Sequence, residues 1–137
     1  MPHDPQRVLI VDDEAPIAHA LQLRLKAAGF EVRAAHCGRD GLDAVDDFEP
    51  EAVLLDIRMP DIDGYEVCRH IRRDHEAPPP NVVFLSANST DAARIQAREA
   101  GGDAFLSKPY NPKDVIETLH RLISKQGTAR STETRLN

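Results

Sequence analysis

The chain has 137 residues, enough for one compact domain and too few for two of ordinary size. A fold of that length buries roughly 70% of the surface of its extended chain, so it needs neither disulfides nor a structural metal. With 41% apolar residues, no Trp and a net charge of −6, the core must be aliphatic, and direct nucleic-acid binding, which calls for a basic face, is not expected.

The N-terminal segment MPHDPQR has no apolar h-region, and no stretch approaches the roughly 18 apolar residues of a membrane span. A cytoplasmic, membrane-free location is therefore expected. Strand and helix patterns then alternate. Val8 to Val11 is a continuous β-branched and aliphatic run, as in a strand covered on both faces. Pro16 to Ala28 predicts a helix with Ile17, Leu21 and Leu25 inward and Gly29 just past its end. Phe30 to Ala35 predicts a second strand, Gly41 to Phe48 a short helix, and Ala52 to Leu55 a third strand. A helix follows over Gly64 to Asp74, and Pro78-Pro79-Pro80 forces an extended loop. Asn81 to Leu85 is a fourth strand, and Asp91 to Ala100 a helix capped by Ser89 or Thr90, with Gly101 beyond it. Ala104 to Leu106 is a fifth strand. The last helix has Asn111 as N-cap and Pro112 at its first position, with Val115, Ile116, Leu119 and Leu122 inward.

Successive β-α units imply an α/β fold, a parallel sheet with helices on both faces. For five strands with right-handed crossovers, the flavodoxin-like order 2-1-3-4-5 fits best, and ligands bind beyond the carboxyl ends of its strands. Asp12, Asp13 and Glu14 follow the first strand, and Asp56, then Arg58, follows the third. Ser86 follows the fourth and Lys108-Pro109 the fifth. Each has a structural explanation of its own: acids suit a helix start, Asp56 suits a turn, Ser86 opens a loop, and Lys108 is a solvated cation. Their recurrence at matching places in successive units favours a shared site.

Carboxylates forced together repel and raise one another's pKa. A hard divalent cation relieves this, and oxygen ligands on an open rim suit Mg²⁺. A metal-bound carboxylate can attack phosphorus, and phosphoryl transfer needs mainly positioning and charge compensation, which Mg²⁺, Lys108 and the Ser86 hydroxyl would supply.

The segments VLIVDDE, LLDIRMPDIDGYEV, FLSA and FLSKPY, in that order and spacing, resemble the receiver domains of bacterial response regulators. The resemblance covers about residues 6 to 125. It implies Asp56 as phosphoacceptor, with Mg²⁺ held by Asp13, Asp56 and the backbone carbonyl of Arg58, and Asp12 acting mainly through water. It also implies Ser86 as the switch hydroxyl, Lys108 as the phosphate-pairing cation and Phe105 as the aromatic that reports phosphorylation. The implied donor is a phosphohistidine on a sensor histidine kinase or a histidine phosphotransfer protein. The implied target is a downstream protein, or an output domain that this chain lacks. Arg58 and Asn88, each two residues beyond a site residue, can reach over the phosphoryl group.

Where receiver domains with winged-helix outputs carry Asp and Arg for a salt-bridged dimer, this chain has Ala104 and Thr118, which argues against that dimer. Residues 126–137 are polar and predict a tail or a cut linker after a domain ending at 125. Cys37 and Cys68 lie apart and are expected as free thiols, and the six histidines as scattered surface or half-buried residues. Two other functions share parts of the pattern. An aspartate-nucleophile phosphatase of the haloacid-dehalogenase kind needs a second acid where Arg58 stands, and a receiver-shaped binding module would lack one of the acids or the Lys.

Overall fold

The computed structural model describes residues 5–74 and 79–136, with side chains of the last helix described as far as residue 124. Five strands, β1 (Arg7–Val11), β2 (Glu31–Ala35), β3 (Ala52–Asp56), β4 (Asn81–Ser86) and β5 (Ala104–Ser107), form one parallel sheet in the order β2-β1-β3-β4-β5. Helices α1 (Ala15–Ala27), α2 (Gly38–Phe48), α3 (Gly64–Asp74), α4 (Asp91–Glu99) and α5 (Pro112–Leu136) connect and follow them. The expected fold class and strand order are thus met.

The aliphatic runs divide between the two faces because side chains alternate along a strand. Leu9, Val11, Val53, Leu55, Val82 and Phe84 pack on α2, α3 and α4. Val8, Ile10, Leu54, Val83 and Leu85 pack on α1 and α5, against Leu21, Leu25, Val115 and Leu119. Every residue of β3 is buried, which fixes Asp56 at the end of a strand with no edge to solvent.

Several elements differ from their sequence expectation. In α1 the inward stripe is Ala18, Leu21 and Leu25, while Ile17 is 40% exposed. Gly29 ends that helix with φ +100°, the left-handed residue expected there. α2 starts a turn earlier than its apolar pattern, at Gly38, because the Asp61 carboxylate accepts from the Gly38 and Arg39 amides (2.9 and 2.8 Å). Thr90 caps α4, accepting from the Ala93 amide (3.2 Å), and Asn111 Oδ1 accepts from the Lys113 amide (3.0 Å) at the start of α5. Ile123 joins the buried face of α5, and Ile116 and Leu122 are half-buried beside it. The α5 backbone stays helical through residues 126–136, where composition alone suggests a tail; no proline and one glycine, Gly127, interrupt that stretch. Pro78 of the expected loop, and His3 and His75, lie outside the described residues. Among the described residues, no helix is long and apolar enough to cross a membrane.

Candidate active site

The carboxyl ends of β1 and β3 bring Asp12, Asp13, Glu14 and Asp56 together, each offering an oxygen within 4.8 Å of the others. Local hydrogen bonds hold this geometry. Asp12 is buried, with Oδ1 accepting from the Glu14 amide (2.9 Å), and the Asp12 carbonyl accepts from His36 Nδ1 (3.0 Å). Asp56 Oδ1 accepts from the Arg58 amide (3.3 Å). Gly64, at the start of α3, donates to the Ile57 carbonyl (2.7 Å), and a Cβ there would strike the Asp56 carbonyl oxygen. Only glycine lets α3 approach the Asp56 backbone this closely.

Lys108, arriving at the end of β5, donates to Asp56 Oδ2 (3.0 Å) and Asp12 Oδ2 (3.2 Å), with Glu14 Oε1 at 3.6 Å. Three carboxylates thus meet one ammonium, and Asp13 adds a fourth to the group. Burial pushes the Asp56 carboxyl above its ordinary range and Asp12 adds to this, while Lys108 and the Arg58 amide pull it back. Burial alone would lower Lys108; its hydrogen bonds and charge pairing with Asp56 and Asp12 outweigh that and hold it above its usual value, as a cation.

These groups open onto a cleft of about 440 Å³ lined by Asp13, Glu14, Asp56, Arg58, Ser86 and Asn88, with Ala87 and Lys108 completing it. Ser86 Oγ is buried and accepts from the Asn88 amide (3.0 Å). The chain's residues 8–120 match the family model of the response regulator receiver domain. This chain belongs to that family.

Solved structures agree with the assignment. The receiver domain is similar to a CheY-like response regulator receiver domain protein from Methanospirillum hungatei, at 26% identity and TM-score 0.86 over 92% of this chain and 99% of that one. It is similar to a response regulator signal receiver domain from Bermanella marisrubri, at 32% identity and TM-score 0.77 over 88% and 99% of the two chains. It also matches the Vibrio cholerae chemotaxis protein CheY4, at 26% identity and TM-score 0.81 over 86% and 98%.

Asp13, Asp56, Ser86 and Lys108, singled out at the strand ends, therefore line one cleft of the receiver domain together with Arg58 and Asn88, and Asp12 lies buried beside them, bonded to Lys108. Phe105 is half-buried one strand away, in line with Phe84, while Ser86 pairs with Ser107. Glu14, named after the first strand with Asp12 and Asp13 but given no role there, joins the acidic group. Two neighbours were not singled out from sequence. His36 anchors Asp12 from the end of β2, and Arg94 covers the Phe105 ring; nothing in their own segments points to these contacts. Both cysteines are free thiols, and burial pushes Cys68 up to about 11, so it stays neutral.

Proposed function

We propose that this receiver domain accepts a phosphoryl group on Asp56 from the phosphohistidine of a sensor histidine kinase or a histidine phosphotransfer protein. In this reading it acts in the cytoplasm and passes the signal to a protein target or an output domain outside this chain. Mg²⁺ would be held by Asp13, Asp56 and the Arg58 backbone carbonyl, with Asp12 acting mainly through water. The donor set supports this: oxygen ligands on an open rim, with more negative charge than Lys108 alone offsets, suit a hard divalent cation. Both Asp12 oxygens already accept from protein donors, which suits an indirect role. When bound, the ion supplies positive charge to the carboxylates and to the phosphoryl oxygens.

The observation that carries the reading is the ammonium of Lys108 held 3.0 Å from Asp56 Oδ2 at the mouth of an open cleft. An Asp56 carboxylate oxygen forms the new O–P bond as the P–N bond to the donor imidazole breaks; the imidazole keeps that electron pair and takes a proton from water. Lys108, displaced from Asp56 Oδ2, pairs with a phosphoryl oxygen. Ser86 already accepts from Asn88 and has its O–H to donate to a second one. Beside the cleft, exposed Ile17 and Leu23 form an apolar groove of about 830 Å³ with Pro109 and Tyr110, a footing for a donor protein.

Incubation with acetyl phosphate and Mg²⁺, followed by intact mass, tests the reading. One added phosphoryl group is expected, lost with EDTA or in Asp56→Asn. Undiminished labelling of Asp56→Asn contradicts it. Continuous phosphate release with no labelled species would favour a phosphatase, and absence of both would favour a binding module.

A further inference from the structure

Ser86 is joined to α4 by a run of hydrogen bonds. The Asn88 amide donates to Ser86 Oγ (3.0 Å), the Thr90 amide to Asn88 Oδ1 (3.2 Å), and the Ala93 amide to Thr90 Oγ1 (3.2 Å). The next residue, Arg94, turns back over β5. Its Cζ lies 4.7 Å from the centroid of the Phe105 ring, and its NH2 donates to Ser107 Oγ (3.3 Å). Phe105 and Ser107 stand two apart on the strand and so share a face, and Ser107 pairs directly with Ser86. One flat guanidinium thus spans a ring and a hydroxyl, and the hydroxyl belongs to the residue beside Ser86.

We infer that Arg94 is a latch that ties α4 to β5 in the phosphoryl-free arrangement and sets how readily the phosphorylated one forms. The inference rests on the reading of Asp56 and Ser86 given above. If the Ser86 side chain must turn to bring its O–H within reach of a phosphoryl oxygen, Oγ moves away from the Asn88 amide, and the bonds through Asn88 and Thr90 to α4 must resettle. α4 cannot shift along β5 while its guanidinium holds both Phe105 and Ser107. A contact made in one arrangement and lost in the other biases their populations by its own free energy. An exposed cation–π contact of this kind is worth a factor of about two to five. Arginine suits the task because its plane stacks on the ring while its edge donates sideways; a lysine ammonium cannot do both.

The test is titration of the full chain with beryllofluoride, a phosphoryl mimic, in Mg²⁺, with affinity taken from amide chemical shifts. Arg94→Ala should bind beryllofluoride about threefold more tightly. Arg94→Lys should fall between that variant and the wild type, and Ser107→Ala, which removes only the hydrogen bond, should show a smaller tightening. In a Phe105→Leu background the effect of Arg94→Ala should shrink, an interdependence that general loosening of α4 would not produce. If the wild type binds beryllofluoride but neither Arg94→Ala nor Ser107→Ala binds it more tightly, the latch is overturned and the phosphoacceptor reading stands. If the wild type does not bind it, both fall.

Discussion

Asp56 is a charge held where charge is costly: it is buried, faces Asp12 and the two exposed acids, and has one ammonium for compensation. Removing that charge should relieve the fold, so in EDTA at neutral pH Asp56→Asn should melt a few degrees above the wild type. A lower midpoint would mean that the Lys108 pair outweighs the repulsion. Mg²⁺ should relieve the same strain in the wild type. At ten times its dissociation constant it should add about 1.4 kcal/mol of stability, and Asp13→Asn should lose most of this gain. For Arg58 and Asn88 the proposed role is in a later step. Both line the cleft, where a long guanidinium can exclude or misorient the water that hydrolyses an acyl phosphate. Arg58→Ala should change the dephosphorylation rate several-fold, most simply upward, a barrier change of about 1 kcal/mol. Equal half-lives for the wild type, Arg58→Ala and Asn88→Ala would remove both residues from that role.

The elements are held in register by side chains reaching across them. Asp61, in the loop after β3, caps α2 through the Gly38 and Arg39 amides, and those bonds, the Arg39 amide first, hold its carboxyl well below the usual carboxylate range. A depressed folded value stabilises the fold in full above the unfolded value near about 3.9, and this is lost as pH falls below it. Asp61→Ala should therefore melt a few degrees below the wild type at neutral pH, with the gap closing below about pH 4. A gap unchanged down to acid pH would show that the ionised cap is not what matters. Arg72 braces the opposite end of the sheet, donating to the Gly101 and Pro80 carbonyls (2.9 and 2.8 Å) and to Asp103 Oδ2 (2.7 Å). Arg72→Ala should cost about 2 kcal/mol in denaturant unfolding. These braces mark the limit of what sequence makes legible. The strands could be read because a sheet covered on both faces demands continuous aliphatic runs, and Asp12, Asp56, Ser86 and Lys108 because strand ends are fixed once the strands are. The start of α2 could not: glycines at 38 and 41 are poor helix formers, and the cap that overrides them comes from 22 or more residues away. Ile17 was misplaced because its four-residue spacing to Leu21 does not reveal that Ala18 takes the inward position.

Across the whole molecule, one sheet separates two apolar layers and delivers Asp12, Asp13, Asp56, Ser86 and Lys108 to one rim. Truncating Leu54, fully buried in the strand that carries Asp56, should cost about 2–5 kcal/mol in Leu54→Ala. Because Ser86 is tied to α4 and paired with β5, a change at the cleft should not stay there. With beryllofluoride and Mg²⁺, amide shifts should extend over residues 86–106 and into the start of α5, and confinement to Asp12, Asp13, Asp56 and their neighbours would rule out a switch through this face. Everything nevertheless depends on one covalent bond. After reaction with acetyl phosphate and Mg²⁺, borohydride reduces an aspartyl phosphate to homoserine, which peptide sequencing by mass spectrometry locates. Homoserine at position 56 alone is the predicted result. Homoserine at Asp12 or Asp13 instead, or at no position in a chain that has gained a phosphoryl mass, would contradict it.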